Sequence, residues 1–582
     1  MLSSAALTRP LARLFRQPYD IAFGSLLVAV AILLVAKWLL LDRIAIQGDE
    51  FNYLNHIYDR QRGQLSAFFQ RFHVYFFAWV PAVNGNEADQ VLAARQVAYG
   101  MRLAATAAIF LIARKLYGTM GALLAVCLSL SFGHVLRHGE AFRYDSWISG
   151  LFLIAACLLI LRPRSLIACA MAGGAMALAA AFSVKAAIYV PSLLLILLAL
   201  GLFGQGGVGG LKAVLLFALT GVIALAALLF WHGGQLPGLS QELAQQFSTI
   251  GQQGARLFTP SRILPRGQPL INSLQSDPVH WGLIIAGGLV ALRDLFRRGA
   301  TPDDRQRGLL LLALAAPLGT LLIYNNAWEY YYVCLIPPAA VLAAFLPGTL
   351  QRLAKRRPRW ALFGGCAIAA GLIFTTLAHL WHHRIDRVAH QRTFIDTVRT
   401  LFPEPVPYLD RCRMIASYPP AHNIITTATL RPYRARNKPI MRNKLIRHQP
   451  KFLIANTPTL ALGASWEQMQ GSRFRLLEED FRILQDNFVN HWGRLYVAGR
   501  EFTALGEAPR RFDLIIAGQY TVESDAAIVL DGKRLAPGAV TELRSGPHTI
   551  GGTRPGQAAI LRIGDNLPIP SHAPSSLPLV NA

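Results

Sequence analysis

Asp49 and Glu50 stand side by side in Gln47-Gly48-Asp49-Glu50-Phe51-Asn52-Tyr53-Leu54, directly after an apolar run at 21–41. Adjacent carboxylates can take a proton from an acceptor hydroxyl or amine, and at the end of a bilayer-length run they would do so at the depth of a lipid headgroup. Further along, Arg137, His138, Glu140, Arg143, Asp145, Lys185 and Glu329 fall in short polar stretches between apolar runs. Ionisable groups beside or within membrane spans are costly and mark sites or pathways. Together they fit transfer of a sugar from a lipid phosphate. Asp49 or Glu50 serves as base, Asp145 orients the base or a cation, and Arg143 and Lys185 hold the departing phosphate, Arg by a two-pronged hydrogen bond and Lys as a point charge. Tyr53, Arg137, Glu140, Glu329 and Tyr331 are the candidates for substrate contact.

Each residue also has an ordinary reading. Asp49 can cap a helix that starts at Glu50. Arg143-Tyr144-Asp145 can be an interfacial anchor followed by a cap, and Lys185 can reach up to the headgroups along its apolar stem. Tyr330-Tyr331-Tyr332 fits an aromatic belt. The joint occurrence of these groups, all on one side if the spans alternate, favours the catalytic reading.

The elements that would position them follow from composition. Of 582 residues 53% are hydrophobic and 15% charged, with mean hydropathy +0.36, which indicates a polytopic helical membrane protein. The net charge of +25 is spread through short loops, so nucleic acid is not an expected partner. Apolar runs lie at 21–41, 97–116, 120–135, 146–161, 166–184, 186–203, 213–231, 279–295, 309–323, 332–346 and 360–380. That is roughly eleven spans and up to 13, since the shorter runs can merge or shift. Arg9, Arg13 and Arg16 precede the first run, which lacks a small-residue cleavage site after it and reads as a retained helix. Basic clusters at Arg114/Lys115, Arg162/Arg164, Lys212, 293–307 and 352–357 share one side, the inner one. The carboxylate pair and everything after His382 then face outward.

The loop 42–96 contains a short helix at 50–60 and an aromatic stretch at 65–80 that reads as a helix lying in the membrane interface. A Gln-rich loop at 232–278 is long enough to act as a lid or simply to connect. Five of six cysteines sit in apolar runs and Cys412 stands alone, so neither disulfides nor a zinc site with cysteine spacing is indicated. No Gly-rich phosphate loop precedes a helix, so no soluble nucleotide-sugar site is expected. Residues 383–582 are polar and form a soluble region. It holds a helix at 384–401, strands at 414–417 and 451–455, a helix near 465–470, and a small β-sandwich with strands at 512–516, 527–530 and 541–544 and an Asp531-Gly532 turn. The tail from 566 is Pro/Ser-rich and reads as disordered.

Two resemblances add to this. Gly48-Asp49-Glu50-Phe51-Asn52-Tyr53 resembles the Asp-Glu-x-x-Tyr signature of the GT-C glycosyltransferases, in the branch of the protein O-mannosyltransferases and the lipid A aminoarabinose transferase. Ala141-Phe142-Arg143-Tyr144-Asp145, Phe182-Ser183-Val184-Lys185-Ala186 and the Tyr330-Tyr331-Tyr332 to Pro337-Pro338 stretch resemble further motifs of that branch in the right order. Asp531-Gly532-Lys533 with Gly546-Pro547-His548-Thr549-Ile550 resembles the small PEGA-type β-domain. The first resemblance implies an inverting, integral membrane glycosyltransferase of the bacterial inner membrane. It would use a polyprenyl-phosphate-linked sugar on the periplasmic face, with Asp49 as base and a lipid, glycan or protein as acceptor. No cofactor is required, while a divalent ion near Asp49 and Asp145 is allowed rather than demanded. The implied organisation is a cytoplasmic N-terminus (1–20), a GT-C-like catalytic membrane domain (21–382), a periplasmic α/β region (383–505), a PEGA-like sandwich (506–565) and the tail (566–582). Two other readings compete. A polar-lipid transporter would call for paired broken spans in two halves, and a scaffold recruiting an envelope complex would leave Asp49, Arg143 and Lys185 without a purpose.

Overall fold

The computed structural model describes residues 18–65, 67–203, 207–236, 263–421, 427–470 and 475–580. Arg9, Arg13, Arg16 and most of the Gln-rich loop lie outside them. Contacts divide the chain into two units. The first comprises Met1–Ile44, Asp59–Trp79 and Leu92–Ile385, and the second Ala45–Tyr58, Val80–Val91 and Asp386–Ala582.

In the order of the chain the helices used below are α1 (Pro18–Leu40), α2 (Gly48–Gln61), α3 (Glu87–Ser131), α4 (Gly133–His138), α5 (Tyr144–Leu161), α6 (Leu166–Phe182), α7 (Val190–Phe203), α8 (Gly207–Gly234), α9 (Gly267–Ser276), α10 (Pro278–Phe296), α11 (Pro302–Ala315), α12 (Tyr332–Ala339), α13 (Leu346–Arg356), α14 (Pro358–His382) and α15 (Arg387–Leu401). Each of the eleven expected apolar runs falls mainly on helical backbone. Among the described residues seven helices are long and apolar enough to cross a membrane, and two shorter apolar helices accompany them. The expected span 97–116 and most of 120–135 are the two arms of α3, which breaks at Gly118, where φ is +78° and a side chain would be strained, while residues 133–135 of the second run belong to α4. Large apolar side chains stay exposed on α8 and α14, Phe230 at 86% and Phe374 at 74%, as lipid-facing residues do. Where helices must touch, small residues let their backbones approach. A Cβ at Gly173 of α6 would stand 2.5 Å from the carbonyl oxygen of Phe217 on α8 and also against Thr220.

The aromatic stretch 65–80 is not one helix. It holds a single turn at His73–Phe76 and a 3-10 turn at Val80–Ala82, and Gln70 takes φ +58°. The break lets Phe68, Phe72 and Phe77 all point inward. Phe77 packs edge-on against Phe142 at 4.7 Å, and Phe72 meets Phe182 at 6.0 Å. Tyr75 and the carbonyl of Phe68 both bond His232, at 2.7 Å each.

In the second unit β1 (Tyr408–Leu409) and β2 (Phe452–Ile454) pair in parallel, and β2 lies antiparallel to the long β4 (Leu495–Leu505), which also takes β3 (Phe488–Trp492). The other end of β4 pairs with β11 (Gln557–Ile563), which pairs with β6 (Gly518–Ser524) and through it β9 (Val540–Leu543). β4 therefore joins the α/β part and the sandwich into one sheet. A second sheet orders β5 (Arg510–Leu514), β10 (Gly546–Gly552), β7 (Ile528–Leu530) and β8 (Lys533–Leu535), and Phe512 of β5 meets Phe502 of β4 at 5.0 Å. The expected turn is present: Asp531 and Gly532 have φ of +50° and +77°, the left-handed pair that matches strand twist, between partners Leu530 and Lys533. The expected strand at 414–417 is instead a turn, because the carboxylate of Asp410 accepts the N–H groups of Arg413 and Met414 at 2.7 and 2.8 Å.

Two outcomes follow. Gly173→Ile should lower stability by about 1–3 kcal/mol through overpacking, read as a drop in the melting temperature in detergent, whereas Gly174→Ala, where no atom lies within 4 Å, should be nearly neutral. The second concerns His548, whose Nδ1 lies 2.6 Å from Asp531. Partial burial pulls the imidazole down, but the bonds to the Arg544 carbonyl and to Asp531 outweigh it and hold it above its ordinary value. Partial burial likewise raises Asp531, and the His548 bond outweighs that and holds it below the usual range. A raised His stabilises below its unfolded pKa and loses this as pH rises through the folded one. A depressed Asp stabilises above its unfolded pKa and loses this as pH falls. The contribution should therefore peak between roughly pH 4 and pH 6.5, and melting curves of His548→Asn against wild type should converge on either side of that window.

Candidate functional site

At one end of the α5–α6 pair the backbone places three ionisable groups together. Arg143 is extended just before α5, Asp145 lies in the first turn of α5, and Lys185 follows α6 in a 3-10 turn that Ser183 caps. Arg143 Nε donates to Asp145 Oδ2 at 3.0 Å and Lys185 Nζ to Oδ1 at 2.8 Å. All three are buried, Asp145 at 1% exposure. Two cations therefore converge on one carboxylate in a single buried cluster. Tyr330 covers it: its ring centre is 3.8 Å from the Arg143 guanidinium and 4.8 Å from Lys185 Nζ. Behind it, Trp147 stacks on Phe182 at 5.4 Å. The arrangement is suited to an anion such as a phosphate. It does not suit a metal at Asp145, since each of its oxygens already carries a cation.

The other expected residues of the first unit are placed differently. Glu140 lies in a buried cluster, where Lys37 Nζ contacts both its oxygens at 2.7 and 2.8 Å and Arg102 Nε stands 3.4 Å away. Lys37 also donates to Val135 O at 3.0 Å, and Arg102 to Gly139 O at 3.0 Å. Glu140 thus holds α1 and α3 to the turn before α5. Arg137 pairs with Glu329 at 2.8 Å. Tyr331 is fully buried with its hydroxyl 2.7 Å from Thr320, and its neighbour Tyr330 is the tyrosine beside the cations.

The carboxylate pair belongs to the second unit. Helix α2 begins at Gly48, so Asp49 stands within the first turn instead of capping it. Asp49 is exposed, while Glu50 is fully buried and its Oε2 accepts the N–H of Gln47 at 2.9 Å. Tyr53 is buried, its ring 6.1 Å from His56. Asn55 donates to Arg413 O at 2.5 Å, tying α2 to the 410–414 turn. A Cβ on Gly48 would come 3.2 Å from Cys412 Cβ, which accounts for the glycine. Burial, then the charge of Asp410, pushes the Cys412 thiol up, so it stays protonated.

Sequence reasoning missed Lys37 and Tyr330. A lysine within the first apolar run was the available signal for Lys37. It also missed His134, four residues before His138, the spacing that sets two imidazoles on one face of a helix.

No protein-family model matches the chain, and no curated protein matches its sequence. Solved structures do. The oligosaccharyltransferase AglB of Archaeoglobus fulgidus, in complex with an inhibitory peptide and a dolichol-phosphate, is 12% identical with a TM-score of 0.51, over 95% of this chain and 98% of that one. ArnT of Cupriavidus metallidurans, bound to undecaprenyl phosphate, is 16% identical with a TM-score of 0.45, over 68% of this chain and 74% of that one. The AglB likeness shows a shared fold, so the resemblance of the motifs to the GT-C glycosyltransferases holds at the level of fold.

Because Glu140 neutralises buried cations, Glu140→Gln should cost about 3–5 kcal/mol of stability, seen as a lower melting temperature. Lys37→Met combined with Glu140→Gln should recover a substantial part of that loss.

Proposed function

We propose that this chain is an integral membrane glycosyltransferase that moves a sugar from a polyprenyl-phosphate donor to a lipid, glycan or protein acceptor on the periplasmic face of a bacterial inner membrane. The observation that carries the reading is the buried Arg143–Asp145–Lys185 cluster under Tyr330, which brings an arginine and a lysine together at one place. Supporting it are the bilayer-length helices and a shared fold with an oligosaccharyltransferase described in complex with a dolichol-phosphate.

In this reading Arg143 and Lys185 bind the donor phosphate and stabilise the charge that grows on it as the sugar–oxygen bond breaks. Asp145 holds both cations in place and keeps them from repelling each other apart. Asp49, exposed at the start of α2, takes the proton of the acceptor hydroxyl or amine as the new bond forms, with inversion at the sugar carbon. Glu50, buried and bonded to the Gln47 amide, sets the turn that presents Asp49. Arg137 and Glu329 set the stretch that carries Tyr330. Tyr53 and Tyr331, both buried, support the walls. Apart from α2 and the 80–91 segment, residues 21–382 form the catalytic membrane domain and 383–565 the periplasmic region, the latter with its PEGA-like sandwich. The basic loops hold the opposite side in the cytoplasm.

Purified protein is given radiolabelled polyprenyl-phosphate sugars with a membrane extract as acceptor. Asp49→Asn should lower turnover by about 10²–10⁴-fold with donor binding retained. Lys185→Ala should weaken donor binding by roughly tenfold or more, the worth of a charge-assisted hydrogen bond, and Lys185→Arg should restore part of it. Equal product from wild type and Asp49→Asn refutes the base, unchanged donor affinity in Lys185→Ala refutes the phosphate role, and no product across a broad donor panel refutes the transferase.

A further inference from the structure

Helix α4 and the stretch before α12 bring together a second set of groups that neither bind the donor phosphate nor move the proton in the proposed reaction. His134 and His138 lie one turn apart on α4, and with the carboxylate of Glu329 they offer two imidazole nitrogens and one oxygen within 4.8 Å of one another. His134 Nε2 is buried without a hydrogen-bond partner, an orphan donor or acceptor that costs free energy unless something fills the place. His138 is 6% exposed at its side chain, and its Nε2 stands 3.7 Å from Glu329 Oε2. On a bound tetrahedral ion such atoms would be about 3.4 Å apart, so small side-chain rotations close the set.

We propose that His134, His138 and Glu329 bind one divalent transition-metal ion of the zinc type. Two imidazoles and a carboxylate suit zinc, cobalt, nickel or copper over magnesium or calcium, which take oxygen sets. Arg137, 2.8 Å from the same carboxylate, is the outer partner that fixes a ligating group in orientation. The consequence reaches the next residue: an ion tying Glu329 to α4 holds Tyr330 over Arg143 and Lys185. The metal therefore acts on the positioning of the aromatic cover and takes no part in proton transfer.

The full chain in detergent, stripped with a chelator and titrated with zinc, should bind one equivalent and gain in melting temperature. Cobalt in its place should show visible absorption bands of a low-coordinate nitrogen and oxygen site. His134→Ala and His138→Ala should each weaken zinc binding by at least about a hundredfold, more than the loss of an outer partner costs, and Glu329→Gln should weaken it too. His382→Asn, at an exposed histidine outside the set, should bind as wild type does. Circular dichroism and gel filtration establish that each variant is folded. Absence of stoichiometric zinc on the wild type, wild-type affinity in folded His134→Ala or His138→Ala, or loss of binding in His382→Asn overturns the assignment.

Discussion

Two cations share one buried carboxylate in the first unit, and that sharing constrains everything around it. Taking Arg143, Lys185 and Asp145 out of water costs several kcal/mol per ion, and a single carboxylate offsets only part of it. The ring face of Tyr330 lies against both cations as well. An arginine and a lysine held side by side in this way offer a planar fork and a point charge from one place.

The Lys37–Glu140–Arg102 cluster makes a useful contrast. It too sets two cations on one carboxylate, and the backbone carbonyls of Val135 and Gly139 each accept one further bond, from Lys37 and from Arg102, while Nε and Nη1 of Arg102 are buried without a hydrogen-bond partner. Helices α1 and α3 close over it, and the cluster serves as an internal fastening. The same residue types thus build two separate buried clusters in one unit.

The second unit is assembled from three stretches far apart in the chain. Gln391 of α15 exchanges hydrogen bonds with both backbone groups of Ile46, and Asn86 reaches Arg392 and Asp396. Contacts across some 300 residues can form only after the membrane helices between them are made, so this unit should mature late. Its carboxylate helix is shaped by the same long-range contacts: Gly48 is needed because Cys412 packs against it, and Asn55 is anchored by the Arg413 carbonyl.

Local pattern alone determined much of this protein. Apolar runs of bilayer length were readable because their signal is summed over many neighbouring residues. The Asp531-Gly532 turn was readable because left-handed backbone is a property of two residues. The Arg143–Asp145–Lys185 grouping could be named because each member borders a span, so alternation alone puts them at one end. The partner of Glu140 could not be read: Lys37 is 103 residues away, and charge pairing depends on distance in space, which no local pattern encodes. For the same reason the expected strand at 414–417 gave way to a turn around Asp410, the aromatic helix at 65–80 broke at Gln70 so that its rings could reach Phe142 and Phe182, and Tyr330 in place of Tyr331 came to lie on the cations. In each case tertiary packing chose among arrangements that local propensity left nearly equal in energy.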